Sequence, residues 1–353
     1  MKNYFFLLSV LLAACAKAPD FKNFPKVDTH VHLETSDDSF VQVVEDNNFK
    51  LLTLVTRSES PDVIRKEFDF ASNLHDEHPK AIGMATTISM DGFGEPDWEK
   101  NTITWLQESF DRGAIAVKLW KDIGMTFRNA DSTFIFIDDP RFDPILDFIE
   151  SQDKTLVNHT AEPKNCWLPL DEMTVKGDSG YFARNPQYHM YLHPDYPTRE
   201  EILAARDRML KKHPNLRYVG CHLGSMEWNV DEMAAWLDKF PNHGLDMAAR
   251  IVHFKVQDRE KVRNFIIKYQ DRLLYGTDIA INERGESNTK TAVQAQEIVN
   301  DVWKRDWEYF TSDQILTQND KVKEYQGLDL PESVLKKIYH DNAMKMFPGL
   351  GQK

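Results

Sequence analysis

The chain has 353 residues, of which 41% are hydrophobic and 28% charged, and its formal net charge is −13. This length is ample for a large buried core, and an α/β barrel commonly reaches it as one domain. The acidic residues are spread along the sequence rather than gathered in a tail. The charge therefore favours solubility and argues against a nucleic-acid partner.

The chain begins with a basic and then apolar segment, MKNYFFLLSVLLAAC. The apolar run is too short to span a membrane as a mature helix and is typical of a secretory signal. LAAC, which ends at Cys15, resembles the bacterial lipoprotein signal, in which the cysteine is acylated and becomes the new N-terminus. We predict a signal peptide over residues 1–14, a tether over residues 15–25, and a protein lipid-anchored to the bacterial outer membrane on its periplasmic or surface side. Cleavage of an ordinary signal near Ala16 or Ala18 is the alternative.

From residue 26 onward, apolar runs of strand length alternate with amphipathic runs of helix length. The predicted strands are Val27–Val31, Leu51–Thr56, Ala81–Ser89, Ala114–Leu119, Thr155–His159, Leu216–His222, Gly244–Ala249 and Arg272–Thr277. About eight strand–helix units predict an α/β fold, a (β/α)8 TIM barrel over residues 26–353, with a C-terminal helix and a long loop insertion between the fifth and sixth strands. A doubly wound sheet is the alternative, but no glycine-rich nucleotide turn follows the first strand.

Two histidines stand one residue apart in the first predicted strand, within DTHVH at residues 28–32. Alternate residues of a strand point to the same side, so His30 and His32 are expected to face the barrel interior together. Two buried imidazoles need polar partners, and a divalent metal such as zinc satisfies both at once. Two separately hydrogen-bonded histidines are the alternative.

Four further polar residues stand at or near the C-terminal ends of other predicted strands: Lys118, His159, His222 and Asp278. Barrel active sites are built at that end of the strands. The pattern therefore predicts a metal site at the mouth of the barrel.

Several short motifs resemble the amidohydrolase superfamily: DTHVH, NHT around His159, CHLGS around His222, YGTDIA around Asp278 and the ending IYHDNAMKMF. Within it they are most similar to the amidohydrolase-related branch that includes aminocarboxymuconate-semialdehyde-decarboxylase-like enzymes. The resemblance covers residues 24–348. It implies a metal-dependent barrel that acts on esters, lactones or amides, or in some members on C–C or C–O bonds.

The resemblance also implies roles for individual residues. His30, His32, His159 and Asp278 match the usual ligands of a single divalent ion, with zinc expected. His222 matches a histidine that contacts the substrate or a second metal.

Lys118 leaves the number of ions open. In binuclear members of the family, a lysine at this strand position is carboxylated and bridges two metals. We expect one ion rather than two, because the branch is usually mononuclear. The alternatives are a free lysine paired with Asp278 or with a substrate carboxylate, and a lysine that only reaches towards solvent.

The expected chemistry starts from a bound water whose pKa the metal lowers to roughly neutrality. Asp278 is expected to accept its proton and pass it to the leaving group. His222 is expected to polarise the substrate carbonyl or stabilise the oxyanion. Asp28 has the parity to orient a ligand from beneath, with a buried acid bonded to backbone amides as the alternative.

Two features of the sequence predict which residues bind the substrate. The stretch AEPKNCWLPLDEMTVKGDSGYFARNPQYHMYLHPDYP is rich in aromatic residues, and a loop above a barrel mouth usually builds a pocket wall or a lid. We predict that Trp167 and Tyr181 bind a sugar-like or ring-bearing substrate, with a structural cap as the alternative. Arg250 is predicted to hold a substrate carboxylate through two hydrogen bonds, with a surface arginine as the alternative.

The leading prediction is a metal-dependent hydrolase that cleaves a carboxylic ester, lactone or amide of a small molecule. One alternative is a metal-dependent decarboxylase or other lyase of the same branch, which would release carbon dioxide without adding water. The other is a non-catalytic binding lipoprotein. Apart from Cys15 the chain has two cysteines, Cys166 and Cys221, and sequence alone leaves a disulfide between them open.

Overall fold

The computed structural model of the protein describes residues 19–56, 60–282, 290–318 and 322–352. The predicted signal peptide and its Cys15 lie outside the described residues. Within the described ranges, no helix combines the length and the apolar character needed to cross a membrane.

In the described residues, nine parallel strands form one curled sheet. They are β1 Lys26–Glu34, β2 Phe49–Leu54, β3 Ile82–Thr87, β4 Ala116–Leu119, β5 Thr155–Asn158, β6 Tyr218–Gly220, β7 Gly244–Asp246, β8 Leu273–Leu274 and β9 Ile279–Asn282. Their order across the sheet is β8-β7-β6-β5-β4-β3-β2-β1-β9. Each predicted strand overlaps an observed one.

β8 and β9 follow one another closely and together occupy the eighth strand position. β8 pairs with β7, whereas β9 pairs with β1. Between these pairings, the Thr29 amide donates to the Tyr275 carbonyl at 3.1 Å and the Asp278 amide donates to the His30 carbonyl at 2.8 Å. The last strand segment is thus bonded to the first, which agrees with the predicted (β/α)8 barrel.

Helices alternate with the strands. The α-helices of the described residues are α1 Phe40–Asp46, α2 Pro61–Glu77, α3 Trp98–Asp111, α4 Asp122–Met125, α5 Asp143–Ser151, α6 Lys176–Arg184, α7 Arg199–Lys212, α8 Val230–Lys239, α9 Ile251–Phe254, α10 Arg259–Lys268, α11 Thr291–Ile298, α12 Lys304–Thr311, α13 Glu332–Lys336 and α14 Asn342–Met346. Every residue of β3 and β4 is buried, as expected for a parallel sheet covered on both faces. A local signal marks the start of α7, which begins at a capping box formed by Thr198 and Glu201.

The first and last segments of the described residues pack against the barrel. The predicted C-terminal helix is present as α13 and α14, and Met346 and Phe347 join the apolar cluster that fills the barrel interior with Val27 and Leu274. Within the predicted tether, Phe24 is buried against Trp307, with ring centroids 5.0 Å apart.

β10 Ile315–Gln318 and β11 Val322–Gln326 pair as an antiparallel hairpin. The sequence analysis did not predict this hairpin. The chain between β5 and α7 forms α6 and four short 3-10 turns, Lys164–Trp167, Leu170–Glu172, Pro186–Tyr188 and Met190–Leu192. This segment stands next to the cavity described below.

Candidate active site

The side chains of His30 and His32 are each fixed through Nδ1. The Nδ1 atom of His30 lies 3.0 Å from Oδ2 of Asp246, and that of His32 lies 2.9 Å from the carbonyl oxygen of Leu54. A carbonyl or carboxylate oxygen accepts a hydrogen bond, so Nδ1 of each ring carries the proton. In the neutral form, Nε2 of each ring is left with a lone pair.

Both Nε2 atoms face the same carboxylate oxygen. Oδ1 of Asp278 lies 3.1 Å from Nε2 of His32 and 3.3 Å from Nε2 of His30. Electron-pair donors do not face one another at such distances unless a positive charge lies among them. Among the described residues, these three side chains form a group whose ligand atoms lie within 4.8 Å of one another. The donor set, two imidazoles and a carboxylate, fits a divalent ion such as zinc.

Electrostatics around these groups also favours a cation. Burial and the charge of Lys118 lower the pKa of His30, but the Asp246 carboxylate and the neighbouring Cys221 outweigh them and hold that pKa well above its usual value. Burial raises the pKa of Asp278, yet its hydrogen bond to His30 and the charge there outweigh burial and hold it well below its usual range. The centre is therefore built to bind a positive charge, either a proton or a metal ion.

Asp246 is a functional residue that the sequence analysis did not identify. It ends β7 and is fully buried. Its Oδ1 accepts the backbone amides of His222 at 2.8 Å and Ala248 at 3.0 Å, while Oδ2 holds His30. A carboxylate at the end of an otherwise apolar strand, in the sequence GLDM, was the signal available in the sequence.

His159 and His222 lie beside this centre, with ring centroids 4.1 Å apart. Nδ1 of His222 lies 2.8 Å from the Ala248 carbonyl, which assigns the proton to Nδ1 and a lone pair to Nε2. Nε2 of His159 is buried and has no hydrogen-bond partner among the described residues. Burial and neighbouring cationic groups hold the pKa of His159 well below its usual value, and burial does the same for His222. Both rings are thus neutral and have lone pairs for a ligand.

The backbone at three of these strand ends is held in the left-handed region. The φ angles are 57° at His222, 56° at Ala249 and 66° at Asp278. Non-glycine residues rarely adopt this conformation, and it is concentrated at functional sites where the surrounding fold enforces it.

Lys118 is buried directly beneath the centre. Its Nζ donates to Sγ of Cys221 at 2.9 Å and lies 3.4 Å from Nε2 of His30. Cys221 and Cys166 are both buried free thiols, so no disulfide joins them.

Asp28 does not orient an imidazole, which corrects one expectation from the sequence. Its carboxylate accepts the amide and hydroxyl of Thr277 at 3.0 and 2.6 Å, and the Trp303 indole at 3.0 Å. It also accepts the backbone amide of His30 at 3.3 Å. Burial raises its pKa to about 6, although these hydrogen bonds oppose the rise. Asp28 therefore joins β1 to the eighth strand position, as the alternative interpretation held.

A cavity of about 380 Å³ opens above these residues. It is lined by His30, His32, Thr56, Lys118, Trp120, Lys121, His159, Glu162, Pro163, Asp178, Tyr181, Phe182, His222, Arg250 and Asp278. The structure thus brings together every residue predicted for metal binding or catalysis, together with Arg250 and Tyr181. Trp167 lies outside this lining, and its indole donates to the Pro197 carbonyl at 3.3 Å.

Glu162 contacts two cations of the cavity wall, Lys121 and Arg250. It forms an ion pair with Lys121 and lies 3.7 Å from Arg250. Nε of Arg250 is buried without a hydrogen-bond partner among the described residues. Neither Lys121 nor Glu162 was identified from the sequence. Each lies a few residues beyond a strand end, but neither belongs to one of the recognised motifs.

The family described as Amidohydrolase matches residues 95–349. Among solved structures, the chain is similar to 2,6-dihydroxybenzoate decarboxylase from Rhizobium, at 15% identity and a TM-score of 0.53, over 92% of this chain and 98% of that chain. The chain is also similar to 2,6-dihydroxybenzoate decarboxylase complexed with 2,6-dihydroxybenzoate, at 15% identity and a TM-score of 0.53, over 92% of this chain and 99% of that chain. A 5-carboxyvanillate decarboxylase from Sphingomonas paucimobilis matches at 12% identity and a TM-score of 0.48, over 92% and 99% of the two chains. At these identities the likeness shows the fold alone. No curated protein matches the chain.

Proposed function

The chain belongs to the amidohydrolase family, and we propose on that premise that it is a metal-dependent hydrolase of a small anionic ester, lactone or amide. One observation carries the proposal. Nε2 of His30, Nε2 of His32 and Oδ1 of Asp278 converge with their electron pairs facing one another, at the floor of a cavity large enough for a small molecule.

His30, His32 and Asp278 would hold the ion. His159 lies outside that group of three, but its buried Nε2 has no hydrogen-bond partner among the described residues and would be available as a further donor. A divalent ion bound there supplies Lewis acidity and makes a water molecule acidic enough to react near neutral pH. Imidazole and carboxylate donors of this type suit a single zinc-like ion, and a catalytic site of this kind would keep one coordination position for water.

Asp278 is the group best placed to move a proton. Its side chain is one-third exposed and lines the cavity, whereas the side chain of His30 is almost fully buried. The carboxylate remains ionised because its pKa is held well below the usual range. It would take a proton from water only transiently and pass it on to a leaving group, since so weak a base does not retain the proton.

The role proposed for His222 differs from the one expected from the sequence. Its Nδ1 proton is committed to the Ala248 carbonyl, and burial keeps the ring neutral. Nε2 therefore accepts a hydrogen bond from a substrate hydroxyl or amide rather than donating one to an oxyanion. Lys121 and Arg250, which also line the cavity, would donate hydrogen bonds to a substrate oxygen.

The charge balance of the cavity favours an anion. Its lining contains three cations, Lys118, Lys121 and Arg250, and three carboxylates, Glu162, Asp178 and Asp278. These formal charges cancel, so a bound divalent ion leaves an excess of positive charge in a partly enclosed space, where charge is weakly screened. A substrate bearing a carboxylate compensates that excess.

The proposal is tested on the purified full-length protein by measuring its metal content and its turnover of an ester, lactone and amide panel with and without a chelator. Asp278→Asn serves as a matched variant that keeps size and removes charge. We expect a bound divalent ion, chelator-sensitive hydrolysis and its loss in Asp278→Asn. A metal-loaded protein that binds carboxylates but turns none over would instead be a binding lipoprotein.

A decarboxylase is the second candidate, because aromatic side chains share the cavity wall with the positive charge. Trp120, Tyr181 and Phe182 line the cavity beside Lys121 and Arg250. Such a wall also suits an aromatic acid whose own carboxylate is the reacting group. The same panel decides between the candidates if it includes aryl carboxylates and a carbon dioxide readout. Carbon dioxide release without incorporation of solvent oxygen would contradict the hydrolase proposal.

A further inference from the structure

Exposed apolar side chains are concentrated beside the cavity. In the described part of the chain, the large hydrophobic residues that are exposed include five from the segment between β5 and α7: Leu170, Tyr181, Tyr188, Tyr191 and Leu192. Tyr191 and Leu192 are each 52% exposed. A concentration of exposed apolar side chains beside a cavity is typical of a binding surface.

Five side chains of this segment form a chain of ring contacts, which we call the ring ladder. Its members in spatial order are Tyr188, Tyr181, Phe182, His189 and Tyr191. Tyr188 and Tyr181 are nearly parallel, with centroids 6.5 Å apart, and Tyr181 meets Phe182 edge-on at 5.2 Å. Phe182 stacks on His189 at 5.6 Å, and His189 stacks on Tyr191 at 5.7 Å.

The ring ladder is continuous with the cavity. Tyr181 and Phe182 both line the cavity, and Tyr181 is 39% exposed, so its ring contributes to the cavity and to the outer surface. Nζ of Lys121 lies 5.7 Å from the centroid of the Tyr188 ring, which places a cation where the ladder meets the cavity.

The ladder is also held in place from beneath. Nε2 of His189 lies 2.8 Å from the Leu168 carbonyl, and Asn165 donates to Asp178 at 2.8 Å near the start of α6. Phe182 is buried in an apolar cluster with Cys166 and Met190. A surface fixed in this way binds a planar group without first paying a large ordering cost.

We propose that the ring ladder is a subsite for the non-reacting part of the substrate, and that this part is an aromatic ring. The substrate class is then an aryl-bearing carboxylate, with its anion beside Lys121 and Arg250 in the cavity and its distal ring against Tyr181. An exposed tyrosine ring favours offset-stacked or edge-on contact with a second aromatic ring. The inference rests on the proposed function, since it assigns the substrate of the same site.

The test compares two anions by titration calorimetry on the full-length protein, benzoate and biphenyl-4-carboxylate. We expect the second ring to tighten binding by about tenfold, the effect of a ring contact together with the area it buries. Tyr181→Ala should abolish this preference, whereas Tyr181→Phe, which keeps the ring, should retain it. Trp228→Ala is the matched control, because Trp228 is similarly exposed at 38% and lies outside the cavity lining.

Equal affinity for the two anions, no detectable binding of either, or a preference that survives Tyr181→Ala would overturn the inference. Sedimentation of the wild type and of Tyr191→Ala tests the other occupant, a second copy of the chain. A wild-type dimer that Tyr191→Ala converts to monomer would also overturn it. The titrations are repeated on metal-stripped protein, so the ring preference is measured even if the protein holds no metal and turns over no substrate. That result would defeat the proposed function while leaving the ring ladder as a binding site.

Discussion

Asp246 connects three strands of the barrel through a single carboxylate. Oδ2 holds the His30 ring of β1, while Oδ1 accepts the amides of His222, after β6, and Ala248, after β7. His30 and Asp246 are 216 residues apart in the chain. The orientation of the predicted ligand therefore depends on the closed sheet, and a carboxylate behind an imidazole also raises the basicity of its ligating nitrogen.

The first prediction follows from that contact. Asp246→Asn keeps the shape and one amide acceptor but removes the charge behind His30, so metal affinity should fall on the order of 10- to 100-fold. Competition with a chromophoric chelator measures this directly.

Asp28→Asn is the matched control, because Asp28 is another buried acid of the same barrel that bonds backbone amides, Thr277 and Trp303 but no imidazole. Its metal affinity should stay within about twofold of the wild type, since the variant keeps an oxygen for the backbone amides of His30 and Thr277 and no ligand imidazole loses its partner. An equal loss of affinity in both variants would mean that Asp246 acts only through general stability.

The second prediction concerns the ligands themselves. His32→Ala removes one of three converging donors, and we expect the purified variant to contain little metal, as measured by elemental analysis. His78→Ala removes a histidine from an exposed group formed with Asp38 and Glu77 and should leave the metal content unchanged. A stoichiometric ion in His32→Ala, or a loss in His78→Ala, would contradict the assignment.

The third prediction separates one ion from two at Lys118. In a one-ion site Lys118→Met leaves the metal content at one per chain, because the amine contacts Cys221 and His30 without being a ligand. In a two-ion site Lys118 is a carboxylated bridge, and the same change lowers the content from about two to one or fewer. We expect one ion in both proteins. A wild-type count of two that falls on mutation would recast His159 and His222 as ligands of a second ion.

The fourth prediction concerns Cys15, which lies outside the described residues. Cys15→Ser removes the predicted acylation site, so the protein should move from the membrane fraction to a soluble one or remain unprocessed. Fractionation and intact mass of the two proteins measure this. A Cys15→Ser protein that stays membrane-bound with the mass of the processed wild type would show that no lipid anchor is attached there.

Part of the site could be predicted because strand geometry is local. The period of two places His30 and His32 on one side, and parallel strands bring their C-terminal ends to one mouth, where His222 and Asp278 also lie. The residue types at these positions were enough to predict a cation site.

The rest depended on relationships that no local pattern contains. Asp246 is identified by its distance to a ring in another strand, and Asp28 shares its parity with His30 yet bonds across the barrel closure to Thr277. Trp167 and Tyr181 belong to the same aromatic stretch, but Trp167 ends a 3-10 turn and bonds to the Pro197 carbonyl, whereas Tyr181 lies in α6 and lines the cavity. Loop paths are set by tertiary packing rather than by residue type.

The fifth prediction concerns pH and a histidine remote from the centre. His243 is buried among the rings of Tyr218, Trp236 and Phe240. Burial, helped by the charges of Arg272 and Arg206, lowers its pKa from 6.5 to about 4. Between pH 4 and 6.5, His243 is therefore protonated in the unfolded chain but neutral in the folded chain. The stability due to neutral His243 is therefore complete above pH 6.5 and is lost as pH falls towards 4.

His243→Phe keeps a buried ring and removes this titration. From urea unfolding at a series of pH values, the free energy of unfolding of the wild type should fall relative to His243→Phe by up to about 1.4 kcal/mol per pH unit between pH 6.5 and 4. Above pH 7 the difference between the two proteins should be constant, because His243 is neutral in both the folded and the unfolded state there. Parallel pH curves through the acid range would show that His243 does not carry the depressed pKa that its surroundings impose.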